Sequence, residues 1–210
     1  MDIIQQSHEI IFFHPEEEIY KICSGYCQCY KTPIPETHEG RCDLIRRHRG
    51  HGSPLEHGNM TVIFVTNRGV THELVRHRHT AYSQESTRYC NYSKDKFGNS
   101  IKFIEDSNVI NSHSEEIYNK WVLSLKNCED EYMSRIKLGQ KPEEARGCLI
   151  NDVATTIQVT ANLREWRDIF SLRCSRSAHY QIRELMLPLL RDMQRILPCI
   201  FEDIFPVNYY

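Results

Sequence analysis

Apolar and polar positions along this chain switch between a period of about two and one of about 3.6, and the switches mark out its elements. β-Branched and aromatic residues over 3–13 predict an opening strand. His14-Pro15-Glu16-Glu17-Glu18 reads as a helix start, with an early proline and acids at the positive end of the helix dipole. That helix is expected to run to about Tyr30, before Thr32-Pro33-Ile34-Pro35 breaks it. A short basic helix follows over 40–49 and stops at Gly50-His51-Gly52-Ser53-Pro54. Residues 60–65 are nearly continuous β-forming sequence, as in a strand covered on both faces. Asn67-Arg68-Gly69 then turns into a helix carrying Val70, Leu74 and Val75 inward, with His72, Glu73 and Arg76 on one face.

Further along, Ile117, Trp121, Leu125, Cys128, Tyr132 and Ile136 follow helical spacing over 114–137. Pro142-Glu143-Glu144 opens another helix, which carries Arg146. Over 156–162, Ile157, Val159 and Ala161 alternate with Thr156, Gln158, Thr160 and Asn162, a half-buried strand with Arg164 just beyond it. A helix through Trp166, Ile169 and Phe170 leads to Leu172-Arg173, and the last long helix, over 179–197, is kinked by Pro188. Helix exceeds strand, and the fold class is α+β.

With 210 residues, no repeat and no Pro/Gly/Ser-rich linker, the chain reads as one domain, 1–210. Charged residues make up 26% of it, yet the net charge is −2, so any basic cluster is local and general nucleic-acid binding is disfavoured. No apolar run approaches the ~20 residues of a membrane span, and no signal-peptide core leads the chain, so a cytoplasmic protein without membrane partners is expected. Nine cysteines, an odd number, argue for reduced thiols that mostly serve as small buried apolar groups.

The chemistry concentrates in Arg76-His77-Arg78-His79-Thr80-Ala81-Tyr82-Ser83-Gln84-Glu85-Ser86-Thr87-Arg88-Tyr89, which begins at the end of the residue-70 helix and is expected to continue as a loop. Planar, permanently charged guanidiniums beside Ser and Gln donors suit an anionic, hydrogen-bond-rich ligand. Other readings stay open on these residues alone. The run could be a solvated face or an ion-pair network. His51, His57, His72, His77 and His79 could serve a metal, although no H-E-x-x-H occurs. Tyr82, Tyr89 and Tyr92 could stack bases in a nucleotide or RNA binder. Ser86 has no evident base that would make it a nucleophile, and it reads as a ligand-binding hydroxyl.

Arg-His-Arg, seven residues and then Ser resembles the signature of the flavin-dependent thymidylate synthases, the ThyX family. Gly50-His51-Gly52-Ser53-Pro54-Leu55-Glu56-His57, Thr71-His72-Glu73-Leu74-Val75, Ala161-Asn162-Leu163-Arg164, Leu172-Arg173-Cys174 and Ala178-His179 resemble further family segments in the same order. The resemblance implies a ThyX-like antiparallel sheet packed with several helices, in a homotetramer with shared active sites. It implies reductive methylation of dUMP to dTMP, with bound FAD, NADPH as reductant and 5,10-methylenetetrahydrofolate as carbon donor. Around FAD it puts Ser53, Arg76, His77, Arg78, Gln84, Asn162, Arg164 and Asp168. Around dUMP it puts Glu73, Arg76, Gln84, Glu85, Ser86, Arg88, Arg146 and Arg173. Arg173 matches the catalytic arginine; it cannot act as a base, so its role is to stabilise charge on the ionising uracil ring. No G-x-G-x-x-G supports a Rossmann-type cofactor site, and no cysteine occupies a key motif position. Ala81, Gln84, Asp168 and Ser177 depart from the commoner family pattern.

Overall fold

The computed structural model describes residues 1–205. In chain order its elements are β1 (Asp2–Ile4), β2 (Ser7–Ile11), α1 (Pro15–Tyr30), α2 (His38–His48), β3 (Asn59–Asn67), α3 (Arg68–Leu74), β4 (Thr80–Gln84) and β5 (Lys102–Ile104). There follow α4 (Ser107–Asn111), α5 (Glu115–Lys137), α6 (Pro142–Ala145), β6 (Ala154–Asn162), α7 (Leu163–Arg173), α8 (Tyr180–Ile196) and α9 (Pro198–Phe201). The class is α+β, as the periodicity predicts, and the expected antiparallel sheet is present. The larger sheet has strand order β2-β3-β6-β4, while β1 and β5 form a separate parallel pair. The described chain divides into two compact units, residues 1–7, 64–74 and 83–157 in the first and 8–63, 75–82 and 158–205 in the second.

In the first unit, α5 lays Leu125, Cys128 and Tyr132 onto a core with Tyr92, Ile101, Phe103, Ala145 and Val153. Its Ser114 N-cap accepts the Ile117 N–H, and Arg135 and Lys137 sit at its negative end, so both termini are satisfied. Ile117, at the exposed start of α5, stays half open to solvent although it lies on the apolar stripe. Trp121 donates its indole N–H to Asp152 (3.0 Å), which anchors the helix to the approach to β6.

In the second unit, α1, α7, α8 and α9 bury Ile19, Ile22, Tyr26, Trp166, Phe170, Ile182, Leu189 and Phe201. Trp166 donates to the Met60 carbonyl at 3.0 Å and stacks obliquely on Phe170, which meets Phe201 edge-on. Pro188 lies inside α8, whose buried residues run from Gln181 to Met193. Gly58 marks a close approach: a Cβ there would lie 2.8 Å from Ile22 and 2.9 Å from Leu163. Gly58 also accepts the first N–H of α7, from Leu163, at 2.9 Å.

Three expectations need correction. The single opening strand is two, β1 and β2, broken at Gln5-Gln6. α3 ends at Leu74, so Val75 is exposed and Arg76 lies beyond the helix face that carries His72 and Glu73. The middle of the arginine signature, read as a loop, is strand β4; its backbone pairs at a sheet edge, and its Thr-Ala-Tyr-Ser-Gln sequence lacks the apolar alternation that marks a buried strand.

Candidate active site

The candidate residues fall into two sets, one in each unit. In the first unit, Ser86, Arg88 and Arg146 gather around one turn. Ser86 accepts the Arg88 N–H at its hydroxyl (3.3 Å), and its carbonyl accepts the N–H groups of Tyr89 and Cys90. Arg146, just past α6, donates to the Thr87 hydroxyl at 3.3 Å. Arg88 lies 3.8 Å from Glu143 and over the Tyr89 ring at 5.3 Å. Two exposed guanidiniums therefore flank Thr87, an arrangement suited to a phosphate.

Glu85 and Gln84 are held from behind. Tyr92 donates to the Glu85 carboxylate at 2.6 Å, and the backbone of Glu85 is pinned by Arg68 to its carbonyl (3.1 Å) and by its own N–H to Thr156 (2.9 Å). Gln84 spends both amide N–H groups on Thr71 (3.1 Å) and Thr155 (3.3 Å), so its remaining offering to a ligand is a carbonyl oxygen. Arg68 is the member that sequence reasoning missed, since Asn67-Arg68-Gly69 reads as a turn and only the fold brings Arg68 to Glu85; Tyr92, read from the sequence as a stacking ring, instead supports the Glu85 carboxylate. A cavity of about 550 Å³ opens beside Glu85 and Tyr92, floored by Thr155 and Thr156. Glu73 is half-buried on the last turn of α3.

In the second unit, Asn162 caps α7, accepting the Glu165 N–H at 2.8 Å. With Glu56, His79, Arg164, Glu165 and Asp168 it lines a cavity of about 370 Å³. Arg164 donates to Glu56 at 2.6 Å, yet both side chains are about half exposed, so this pair is worth little and exchanges readily for another anion. Gly52 permits that position, since a Cβ there would lie 3.0 Å from the Arg164 Nε. Ser53 meets the His51 ring at 3.1 Å. Arg76 and Arg78 are exposed, and no described carboxylate pairs with either.

Between these two arginines His77 turns inward. It is buried, its Nδ1 faces Glu165 at 3.5 Å, and its Nε2 accepts from the Nε of Arg173 at 3.0 Å. Burial and the Arg173 charge push the His77 imidazole below 6.5, while Asp168 pulls the other way. Burial and Asp168 raise the Glu165 carboxyl, with His79 opposing. Arg173 is the last residue of α7, with exposed Leu172 before it and buried Cys174 after it. Burial pushes the Cys174 thiol up to about 12 and raises that of Cys90, so neither thiol beside the candidate residues is a ready thiolate. Among the described residues, no group of three His, Cys, Asp or Glu side chains could hold a metal ion.

The donor set fits a dinucleotide cofactor without a Rossmann loop. Arg76, Arg78 and Arg164 present exposed guanidiniums of the kind a pyrophosphate would need, and the cavity at Asn162 and Asp168 has a polar lining that a ring's donors and acceptors would suit. An α+β fold that presents exposed guanidiniums beside a polar cavity defines a binder of anionic, hydrogen-bond-rich ligands. Residues 14–199 match the family described as thymidylate synthase complementing protein. The chain belongs to that family, the flavin-dependent thymidylate synthases. It is 35% identical over 158 residues to the flavin-dependent thymidylate synthase of Geobacter sulfurreducens, covering 75% of this chain and 66% of the relative. It is 32% identical over 189 residues to that of Corynebacterium glutamicum (83% and 75%) and 35% identical over 162 residues to that of Pyrococcus furiosus (75% and 62%). The chain thus spans about two thirds of the length of these relatives. In fold it is similar to the UMP/dUMP methylase PolB of Streptomyces cacaoi bound with 5-Br dUMP, with a TM-score of 0.79, 18% identity and 96% of each chain covered.

Proposed function

We propose that this chain, read as one synthase domain over 1–210, methylates dUMP reductively to dTMP. FAD is its bound cofactor, 5,10-methylenetetrahydrofolate the carbon donor and NADPH the reductant. The observation that carries the reading is the family match over residues 14–199, which contains the whole ordered set of arginine, histidine and serine motifs. The curated relatives are named flavin-dependent thymidylate synthases, which supports a flavin cofactor, and the methylase of similar fold carries a dUMP analogue, which supports the substrate.

The reading divides the work by charge. Arg88 and Arg146 neutralise the dUMP phosphate, with the Ser86 turn presenting both, while Glu73, Gln84 and Glu85 supply acceptors to the rest of the nucleotide. Arg76, Arg78 and Arg164 bind the cofactor's phosphates, and Ser53, Asn162, Asp168 and Gln84 contact its polar edges. Bound flavin supplies the reducing hydride. Arg173 holds negative charge on the uracil ring as N3 ionises, and so makes C5 a better nucleophile; a guanidinium stays protonated throughout. The raised thiols of Cys90 and Cys174 support a route with no cysteine attack at C6.

The same reading makes the protein a cytoplasmic homotetramer with shared sites, so the residues around one dUMP need not come from one copy. Exposed Tyr89 and Leu172, next to Arg88 and Arg173, support burial at subunit contacts. No helix among the described residues is long and apolar enough to cross a membrane. The test is incubation of purified protein with dUMP or UMP, methylene-labelled folate and NADPH. Labelled dTMP is expected, and labelled methyl-UMP alone would reassign the substrate.

A further inference from the structure

We propose that His77 is the positioning residue for Arg173. Its neutral imidazole, with the proton on Nδ1 toward Glu165, accepts the Arg173 Nε–H at Nε2 and fixes where the guanidinium points. The inference rests on the reading that Arg173 serves the uracil ring, and it moves His77 from the cofactor contacts to the catalytic arginine.

The tautomer follows from donor chemistry. A guanidinium N–H only donates, so at 3.0 Å the Nε2 of His77 must present its lone pair, and the single proton of a neutral ring then sits on Nδ1. That nitrogen faces Glu165 at 3.5 Å, and the carboxylate favours a proton there. The Tyr82 hydroxyl donates to the His77 carbonyl at 2.9 Å, so the main chain is fixed as well. His77 is 9% exposed, while Arg76 and Arg78 on either side are exposed. The signature therefore sends its two arginines to solvent and its histidine inward. The charged and titratable groups around the ring are Arg173, Glu165 and Asp168 from α7 and Tyr82 from β4. Burial and Arg173 both favour the neutral ring, the only form that can accept this bond. An arginine at the end of a helix has several rotatable bonds, and one fixed acceptor at Nε orients the whole planar fork.

Two measurements on the flavin-loaded protein test this. The first does not depend on turnover: histidine-labelled NMR titration, with His77 assigned by its loss in His77→Gln. His77 is expected to titrate below 6.5 in the wild type and to move upward in Arg173→Ala; an unmoved midpoint overturns the contact. The second is kinetic. His77→Phe, which fills the space but cannot accept, is expected to lower kcat by about 10- to 100-fold while flavin content and the KM for dUMP hold. His77→Gln, whose side-chain oxygen can stand near Nε2, is expected to recover most of that loss. It should also lack the wild type's fall in kcat at acid pH. Wild-type turnover by His77→Phe, or loss of flavin from it, overturns the proposal. If the wild type makes no dTMP, the functional reading fails, and the titration alone still decides whether His77 holds Arg173.

Discussion

Arg173 is the residue on which the proposed chemistry depends most, and its environment suits that role. It sits at the C-terminal end of α7, where the helix dipole favours a cation, and shares a hydrogen bond with a buried neutral histidine. Arg173→Ala is expected to stay yellow and be reduced by NADPH, yet to lose on the order of 10²–10³ in dTMP formation at saturating dUMP. Arg173→Lys restores little, since a point charge cannot reproduce two parallel hydrogen bonds. Arg78, exposed and without a described carboxylate partner, gives a separate prediction. Arg78→Ala is expected to lose flavin on gel filtration while its thermal midpoint stays within a degree or two, about what a free surface arginine contributes. His77 also links stability to pH. Its folded value lies below 6.5, so the unfolded chain binds more protons as pH falls past that point, and stability declines there. Glu165, raised by burial, acts in the opposite sense in the carboxylate range. Urea midpoints measured from about pH 7.5 to 5.5 should fall more steeply for wild type than for His77→Gln.

At the scale of elements, what was legible in the sequence depended on whether a segment has its own period. α1 is predicted by Pro15 and the three acids behind it, α5 by its apolar stripe, and β6 by the alternation ending in Asn162, and each forms where expected. β4 was not legible, because its Thr-Ala-Tyr-Ser-Gln sequence owes strand form to its neighbour in the sheet and not to its own pattern. The three-residue strands β1 and β5 are too short to show a period at all. The site followed the same rule. The exposed arginines stand out in the motif, but Arg68 and Tyr92 reach Glu85 only through the fold, and nothing in the sequence marks His77 as the inward residue of its triplet. Asn162 shows how one residue can serve both levels, as a cap for α7 and a wall of the smaller cavity. Asn162→Ala is expected to cost about 1 kcal/mol, or roughly 2–4 °C in Tm. Asn162→Asp keeps the cap, so a loss of flavin with Tm preserved in that variant isolates the cofactor contact from the structural one.

For the whole molecule, the candidate residues divide by unit as well as by ligand. The turn of Ser86, Arg88 and Arg146 proposed for the phosphate lies in one unit, and Arg173 with most of the proposed cofactor residues lies in the other. A shared-site homotetramer accommodates that division, and light scattering of the flavin-loaded protein is expected to give four copies. A monomer that retains flavin tightly contradicts the assembly. The central claim is the reaction itself, and one measurement reaches it most directly: product analysis after mixing the purified, flavin-loaded protein with dUMP, methylene-labelled tetrahydrofolate and NADPH. The account predicts dTMP carrying the label at its C5 methyl group, formed only when all three are present and nearly abolished in Arg173→Ala. A flavin-loaded protein that oxidises NADPH and makes no labelled dTMP, or an Arg173→Ala variant that makes it as fast as the wild type, contradicts the account.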